Sequence, residues 1–311
     1  MSLETGAPPP IPAPDQPGAD QPGADQPGPD LSARPRKAPR RKLSPLIPIG
    51  VAIVALIVVA AVVSFFWTPF DVLNIDYDHT SAGPGVNGHW LGTDRIGRDI
   101  ATRLMIGART ALYVGIVAVG IALLIGTPIG ILAGMTGRGW SEFIMRSNDI
   151  LLAFPALLLA IVLAARYGGS ITTAMVAIGV ATIPGFVRVI RSGTLRVMST
   201  DYVLAARVAG RSSFSIAVRH VLPNVSGLLI VQASSAYAIA ILAEAGLSFL
   251  GLGAPQSVPS WGRMLYESQS LLTIAPLTAL WPGLAIALAV LGFNLLGDGL
   301  RDQLDPTLVR S

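Results

Sequence analysis

Six long apolar stretches, separated by shorter polar ones, dominate the hydrophobic pattern of this chain. A helix that crosses a membrane needs about 20 mostly apolar residues to cover about 30 Å of hydrocarbon. Each of the six stretches is close to that length, and we expect spans at residues 46–67, 111–134, 149–165, 171–190, 227–247 and 276–297. The pattern therefore predicts an all-α membrane protein with six transmembrane helices.

The amino-acid composition agrees with a chain embedded in lipid. Hydrophobic residues make up 52% of the 311 residues, charged residues only 13%, and the mean hydropathy is +0.61. Roughly a quarter of the residues of a water-soluble domain are charged. This chain has too few polar side chains to cover a water-exposed surface, so much of its surface is expected to face the bilayer.

The first 42 residues have a different composition. They are rich in Pro, Gly, Ala and Asp and end in the basic run 34–42. A segment with so few large apolar side chains buries too little surface to offset the entropy of ordering, which predicts a disordered tail rather than a recruiting tether. The basic run lies directly before the first apolar stretch, and this placement favours a cytoplasmic anchor over a nucleic-acid-binding role.

The distribution of positive charge predicts the orientation in the membrane. With six spans and a cytoplasmic N-terminus, 16 of the 22 Lys and Arg residues fall on the cytoplasmic side and six on the outer side. Because cytoplasmic loops carry the excess of positive charge, both termini are predicted to be cytoplasmic. We divide the chain into a tail (1–42), a first helix with an outer loop (43–110) and a core domain (111–311).

One inner segment, at about 191–225, is longer than the other inner loops. Loops beyond about 12–15 residues are uncommon without a function. Good helix formers and small residues at 203–209 predict a short helix, which Gly210 can end by adopting a positive φ. Ser212 or Ser213 can cap a second helix at 214–221, expected to end before Pro223. Ala205 and Ala206 would offer a flat face to a partner.

This segment resembles the EAA loop of binding-protein-dependent ABC import permeases. In that family the loop forms a coupling helix that enters a groove of the cytoplasmic ATPase. The resemblance implies a coupling role for Leu204, Ala205, Ala206, Arg207, Gly210, Leu222 and Pro223. Two residues depart from the family pattern, because Leu204 stands where the family has an acid and His220 where it has an apolar residue. A salt bridge from position 204 is therefore not expected.

Further segments resemble the dipeptide and oligopeptide group of these permeases, the C-type subunits. They occur in the order typical of that group: HWLGTDRIGRD at 89–99 with RLMIGAR at 103–109, DILLAFP at 149–155, EAGLSFLGLG at 244–253, PSWG at 259–262, and FNLLGDGLRD at 293–302 followed by DP at 305–306. The resemblance implies a type I ABC importer permease fold and import of di- or oligopeptides. Nickel, glutathione or another small solute is the alternative within the same family.

The resemblance also implies the other parts of the transporter. These are a second homologous permease, two ATP-binding subunits or one fused ATPase, and an extracytoplasmic peptide-binding protein. This chain carries no P-loop, since its only lysines, Lys37 and Lys42, lie in the basic run without the required glycines. We therefore expect ATP and Mg²⁺ on the partner ATPase and no cofactor on this chain.

No residue pattern in the sequence indicates an enzyme or a metal site. The chain has no cysteine, and its three histidines show no metal-ligand spacing. The predicted spans carry no mid-helix acid, which argues against ion coupling. A stand-alone secondary transporter or channel remains the alternative from another class.

Several residues have both a structural and a functional interpretation. Gly126, Gly130 and Gly134 share one helix face and could pack within the subunit or against another one. Glu244 is a candidate for the translocation path or a gate, or it pins the Gly-rich stretch after it. Asn294 is either a path residue or a hydrogen-bonding contact between helices. Asp94, Arg98 and Asp99 are expected to form a cap and an ion pair, and Trp261 is expected at the membrane surface.

Overall fold

The computed structural model describes residues 46–72 and 74–304, with the side chain of Leu304 excepted. The tail, the basic run and the motif at 305–306 lie outside the described residues. Within these ranges the secondary structure is helical and contains no strand. The longer helices are α1 (Leu46–Val63), α2 (Ile100–Met135), α3 (Arg138–Ala153), α4 (Ala156–Tyr167), α5 (Ile171–Met198), α8 (Leu222–Phe249) and α10 (Leu277–Leu304), and the shorter ones are α6 (Asp201–Val208), α7 (Ser213–Ile216) and α9 (Trp261–Ser268).

The second span starts earlier than the hydrophobic pattern predicts. The Asp99 carboxylate accepts a hydrogen bond from the backbone N–H of Thr102, and this cap starts α2 at Ile100 rather than at 111. The predicted domain boundary between residues 110 and 111 therefore falls inside a helix. The apolar pattern missed the first turns of α2 because they carry Arg103 and Arg109, which are satisfied by other parts of the protein.

The predicted third span is two helices. The chain bends by 75° between α3 and α4, at Phe154 and Pro155. Proline disfavours helical backbone in the residue before it and has no N–H to donate, so a helix ends most easily there. Of the described helices, five are long and apolar enough to cross a membrane, and the bent pair adds a sixth crossing if it counts as one span.

The contacts between α2 and α5 show that the bent pair α3 and α4 carries the chain back across the helix bundle. Gly126 lies against Phe186, Gly130 against Ile190 and Gly134 against Thr194. The residue number of the partner rises with that of the glycine, so α2 and α5 run parallel. The chain between two parallel helices has to travel back from one end to the other. The pair α3 and α4 makes this return, which gives six crossings.

The same glycines explain why these two helices approach so closely. A Cβ placed on Gly130 would lie only 2.9 Å from the Cβ of Ile190 and 2.9 Å from the carbonyl oxygen of Val187. The bare Cα atoms are therefore required for this packing, in which dispersion contacts hold two helices together in the absence of a hydrophobic driving force. Of the two interpretations of the glycine stripe, packing within the subunit is the one that the structure shows.

The remaining helices alternate in direction. Gly193 of α5 lies against Val225 and Leu228 of α8. Gly297 of α10 meets Ser234 of α8, and Gly292 of α10 meets Ile53 of α1. A second contact in each pair fixes the direction: Gly185 lies against Gln232, Phe293 stacks on Tyr237, and Gly299 lies against Ile47. In each pair the residue number falls on one helix as it rises on the other, so the two helices run antiparallel.

Two faces of the protein follow from these directions. The segment face carries residues 199–221 together with residue 46 and residue 304, where the described chain begins and ends. The loop face carries residues 64–99 and 250–276. The two ends of the described chain thus lie on the same side as the long inner segment, as an even number of crossings requires.

Candidate functional site

The long segment between α5 and α8 is a helix–turn–helix, as predicted. Helix α6 spans Asp201–Val208, and Gly210 follows it with φ = +74°. The N–H of Arg211 donates to the carbonyl of Ala206, and the N–H of Gly210 donates to that of Arg207. These two bonds form a Schellman motif, in which a left-handed residue ends the helix. Gly210 is therefore the stop signal for α6, as its sequence position predicts.

The second helix of the segment starts at the predicted cap but does not end where predicted. Ser212 accepts a hydrogen bond from the N–H of Ser215 and so caps α7. The chain then continues without a break into α8, through the π-helical turn Ala217–Val221. The prediction that this helix ends before Pro223 is wrong. In the wider turn the N–H of Leu222 donates to Ala217, five residues back, and Pro223 occupies the first turn of α8, where its missing N–H is tolerated.

The segment presents apolar side chains to its surroundings. Val208 is 91% exposed and Phe214 is 79% exposed, and Leu204 and Val218 are each close to half exposed. By contrast, Val203, Ile216 and Val221 are buried on the side of the segment that faces the helix bundle. The buried residues anchor the helix–turn–helix on the helix bundle, while the exposed ones form an apolar surface that nothing in the described chain covers.

Positively charged side chains accompany this apolar surface. Arg207, Arg211 and Arg219 are exposed, and none of them forms a salt bridge with a residue in the described part of the chain. We define the coupling surface as the exposed side chains of residues 201–219. It combines exposed apolar side chains with arginines that have no salt-bridge partner in the described chain. Such a composition is typical of a protein–protein interface rather than of a surface that faces only solvent.

The predicted site residues of this segment lie on α6 and at the start of α8, and they differ in how exposed they are. Leu204, Ala205 and Arg207 are exposed on α6, whereas Ala206 is half-buried. Leu222 and Pro223 are exposed at the start of α8, after His220, whose ring centroid lies 5.9 Å from that of Tyr202. The sequence interpretation missed Val208 and Phe214, and the signal that could have identified them is a large apolar residue on each side of the Gly210 turn.

The loop face holds a buried charge network. Arg103 is only 2% exposed, and its Nη1 lies 2.6 Å from Asp94 Oδ2. The other amine, Nη2, lies 2.8 Å from Glu267 Oε2, within ion-pair distance but without hydrogen-bond geometry. Arg98 contacts the same two carboxylates, and Arg263 contacts Glu267. The network ties the loop before α2 to α9.

The predicted role of Asp94, Arg98 and Asp99 is confirmed by these contacts. Asp99 caps α2, and Asp94 pairs with Arg98 across 2.7 Å while also accepting from two backbone N–H groups. Sequence reasoning missed the ion pair between Arg103 and Glu267 because these two residues lie more than 150 positions apart along the chain. No local spacing reveals a pair at that separation.

Glu244 lies at the loop end of α8 and is 1% exposed. Its Oε1 accepts a hydrogen bond of 2.6 Å from Ser248, and the N–H of Ala254 donates to the Ser248 hydroxyl oxygen. These contacts pin the Gly-rich stretch after α8, as one of the two interpretations of Glu244 requires. The side chain is enclosed by its own subunit rather than lining an open path.

Two other residues are placed differently from the prediction. Asn294 is exposed on α10 and forms no hydrogen bond with another described residue, so it does not join helices within this subunit. Trp261 is 3% exposed and its indole N–H donates to the carbonyl of Leu104. It is a core residue of the loop face and not a residue at the membrane surface, because the short α9 folds back onto α2.

Comparison with known proteins agrees with this architecture. Residues 126–310 match the model of the family described as "binding-protein-dependent transport system inner membrane component". The chain is 42% identical over 275 residues to the glutathione transport system permease protein GsiD of Pectobacterium atrosepticum, covering 86% of this chain and 90% of the relative. It is 41% identical over 267 residues to the dipeptide transport system permease protein DppC of Alkalihalophilus pseudofirmus, covering 86% and 88%.

Solved structures support the fold independently. Chains from two structures of inward-facing conformations of the MetNI methionine ABC transporter match with TM-scores of 0.54 and 0.52 and sequence identities of 17% and 18%. Each match covers 65% of this chain and 96% of the other chain.

The fold is therefore that of an ABC importer permease, a class of multi-pass membrane subunits. The chain belongs to the family of binding-protein-dependent transport system inner membrane components.

Proposed function

We propose that this chain is one of two permease subunits of an ATP-driven importer in the bacterial inner membrane. The single observation that carries the proposal is the coupling surface. It is apolar and positively charged, and it lies on the face that holds both ends of the described chain. A surface of this kind outside the bilayer calls for a protein partner. The family places a cytoplasmic ATPase there, so we assign the segment face to the cytoplasm.

The geometry suggests how motion of the ATPase would reach the translocation path. The segment connects α5 and α8 directly, and α8 continues from α7 without a break. Helix α5 is packed through three glycines against α2. Displacing the segment would move α5 and α8 together, and α2 would follow α5 because so close a contact transmits strain. The second permease would enclose the other half of the path.

In this proposal the chain has no catalytic residue and binds no cofactor. ATP and Mg²⁺ belong to two ATP-binding subunits or one fused ATPase, which would close on ATP binding and reopen on hydrolysis. An extracytoplasmic binding protein would deliver the substrate to the loop face. We infer a dipeptide or glutathione as substrate, since relatives at 41–43% identity carry these two names, and an oligopeptide belongs to the same chemical class.

The coupling role of Gly210 gives the sharpest test. A Cβ at Gly210 meets no atom within 4 Å, so a substitution acts through the backbone conformation alone. Valine at φ = +74° costs on the order of 1–2 kcal/mol locally. In Gly210→Val we expect the complex to assemble, substrate-stimulated ATP hydrolysis to persist in part, and uptake to fall about tenfold or more, since one step of 1.4 kcal/mol corresponds to tenfold.

Gly137→Val is the matched control for this experiment. Gly137 also lies on the segment face and also has no atom within 4 Å of a built Cβ, but its φ is −62°, which valine accepts. Uptake by this control should equal that of the wild type. Wild-type uptake by Gly210→Val as well would refute the role of the turn in coupling.

Two further measurements separate the alternatives. The purified chain alone in liposomes should not move substrate; movement without nucleotide or partner would identify a stand-alone transporter or channel. Competition uptake in a deletion strain, with dipeptides, glutathione and Ni²⁺ as competitors, would assign the substrate class.

A further inference from the structure

A cavity of about 350 Å³ opens in the loop that precedes α2. Its walls carry three carboxylates, two amides and a histidine but no lysine or arginine. All its lining residues lie between positions 70 and 99, and they include Phe70, Asn74, Asp76, Asp78, Asn87, His89 and Asp99. We call it the loop cavity. Its charge is negative and is not balanced within its own walls.

His89 is fixed in one orientation at the wall of this cavity. It is 3% exposed, its Nδ1 lies 2.9 Å from Asp99 Oδ1, and its ring stacks on Phe70 with a centroid distance of 4.1 Å. An ionised carboxylate can only accept, so Nδ1 is the donor in this hydrogen bond. The other ring nitrogen, Nε2, has no hydrogen-bond partner among the described residues.

The atom that faces His89 Nε2 is a carboxylate oxygen of Asp76. Asp76 Oδ2 lies 3.7 Å from it and accepts from His79 Nδ1 at 2.9 Å and from Asn87 Nδ2 at 3.0 Å. Burial acts to raise the pKa of the Asp76 carboxyl, but the hydrogen bonds from Asn87 and His79 and the adjacent His79 charge together hold the pKa below its ordinary value. Asp76 is therefore ionised at neutral pH.

The loop cavity brings three carboxylates together beside a buried imidazole nitrogen that has no hydrogen-bond partner among the described residues, and a positively charged donor suits this set of groups. Within residues 46–72 and 74–304, no group of three His, Asp or Glu residues has the geometry of a metal site. An ammonium or guanidinium group meets the requirement, since it brings several N–H donors and a positive charge to the three carboxylates. The exposed Tyr77 ring next to Asp76 offers an aromatic wall of the kind that cations favour.

The position of the loop cavity indicates where the cation comes from. Every lining residue lies before Ile100, the first residue of α2, and the last of them, Asp99, caps that helix. The cavity opens on the loop face and not between the spans. A group carried by a protein that docks on this face can reach it, whereas a substrate passing between the helices would not have to enter it.

We propose that the loop cavity receives a lysine or arginine side chain of the extracytoplasmic binding protein, held between Asp76 and His89. This inference rests on the proposed function, because it requires a binding protein that docks on the loop face. Docking would then depend on a charge pair at a defined position. Charged contacts of this kind chiefly set the association rate and its salt dependence.

The test uses the assembled transporter in lipid nanodiscs and its own binding protein, with association followed by biolayer interferometry in the absence of ATP. Asp76→Asn should lower the association rate about tenfold at low salt and flatten its dependence on ionic strength. Asp78→Asn should act in the same direction by a smaller factor. It is the variant that tests charge without a folding defect, because Asp78 is exposed and its carboxylate forms no hydrogen bond with another described residue.

Asp71→Asn is the charge control, since Asp71 lies on the same loop but does not line the loop cavity. Association at the wild-type rate is expected for this variant. Wild-type rates and salt dependence in both Asp76→Asn and Asp78→Asn would overturn the proposal. Unchanged docking with a raised KM for uptake would also overturn it, by showing that the cation comes from the substrate. Failure of the proposed function itself is distinguishable, because the wild-type complex would then show no ATP-driven uptake at all.

Discussion

On the loop face, Arg103 is almost completely buried and is matched by two carboxylates, Asp94 and Glu267. On the segment face, Val208 is almost completely exposed, and neighbouring arginines have no salt bridge within the described chain. The charges around Arg103 are satisfied within this network. The segment face has apolar and charged groups that no other part of the described chain satisfies.

The contrast shows what each face is built to do. A buried ion network is costly to break, because a charge left without its partner in a low-dielectric site is strongly destabilising. The loop face is thereby held as one rigid platform that includes the loop before α2, the end of α8 and α9. The exposed side chains of the segment face contribute little to the stability of the permease, so they are available for contacts with a partner. Substitutions on the two faces should therefore differ in what they change.

The largest effect on stability is expected at the centre of the charge network. Arg103→Ala leaves Asp94 and Glu267 buried with fewer partners, and should destabilise the protein by about 3–5 kcal/mol. Thermal unfolding of the detergent-solubilised complex measures this. Arg146→Ala removes an exposed ion pair with Glu142 on α3, and should cost no more than about 0.5 kcal/mol. Equal losses in the two variants would contradict the rigid-platform interpretation.

An intermediate effect is expected at Glu244. Glu244→Ala removes the acceptor for the Ser248 hydroxyl and should cost about 1–3 kcal/mol, the penalty for an unpaired buried polar group. The stretch 250–259 should then become sensitive to limited proteolysis. Glu244→Gln keeps an acceptor oxygen and should retain most of the resistance. Uptake abolished by Glu244→Gln with normal stability and normal protease resistance would instead favour a role in the path.

The smallest effect on stability is expected at the coupling surface. Val208→Ser should change the free energy of unfolding by less than about 0.5 kcal/mol, because the side chain is exposed in the permease. The same variant should weaken association with the ATPase about tenfold, as expected for an apolar group buried at an interface. Val86→Ser, an exposed valine on the loop face, is the matched control and should leave ATPase association unchanged. A large loss of stability in Val208→Ser would place this residue in the core instead.

Local patterns in the sequence were sufficient for the features that depend on neighbouring residues. The six crossings follow from apolar length, because hydrocarbon thickness fixes the number of residues needed. The turn at Gly210 and the cap at Ser212 follow from residue types that satisfy backbone groups a few positions away. The helix boundaries were less predictable. The charged start of α2 and the passage through Pro223 are possible only because distant contacts and a π-helical turn compensate for them.

The sequence by itself determined the six crossings and the long helical segment on the face that holds both ends of the described chain, since hydropathy, charge and local turn chemistry act over short distances. Tertiary structure alone decided that the glycine stripe packs α2 on α5, that Arg103 meets Glu267, and that His89 faces Asp76. These contacts join residues that are far apart or set by loop geometry. Their identity depends on which helices become neighbours, and no local pattern encodes that choice.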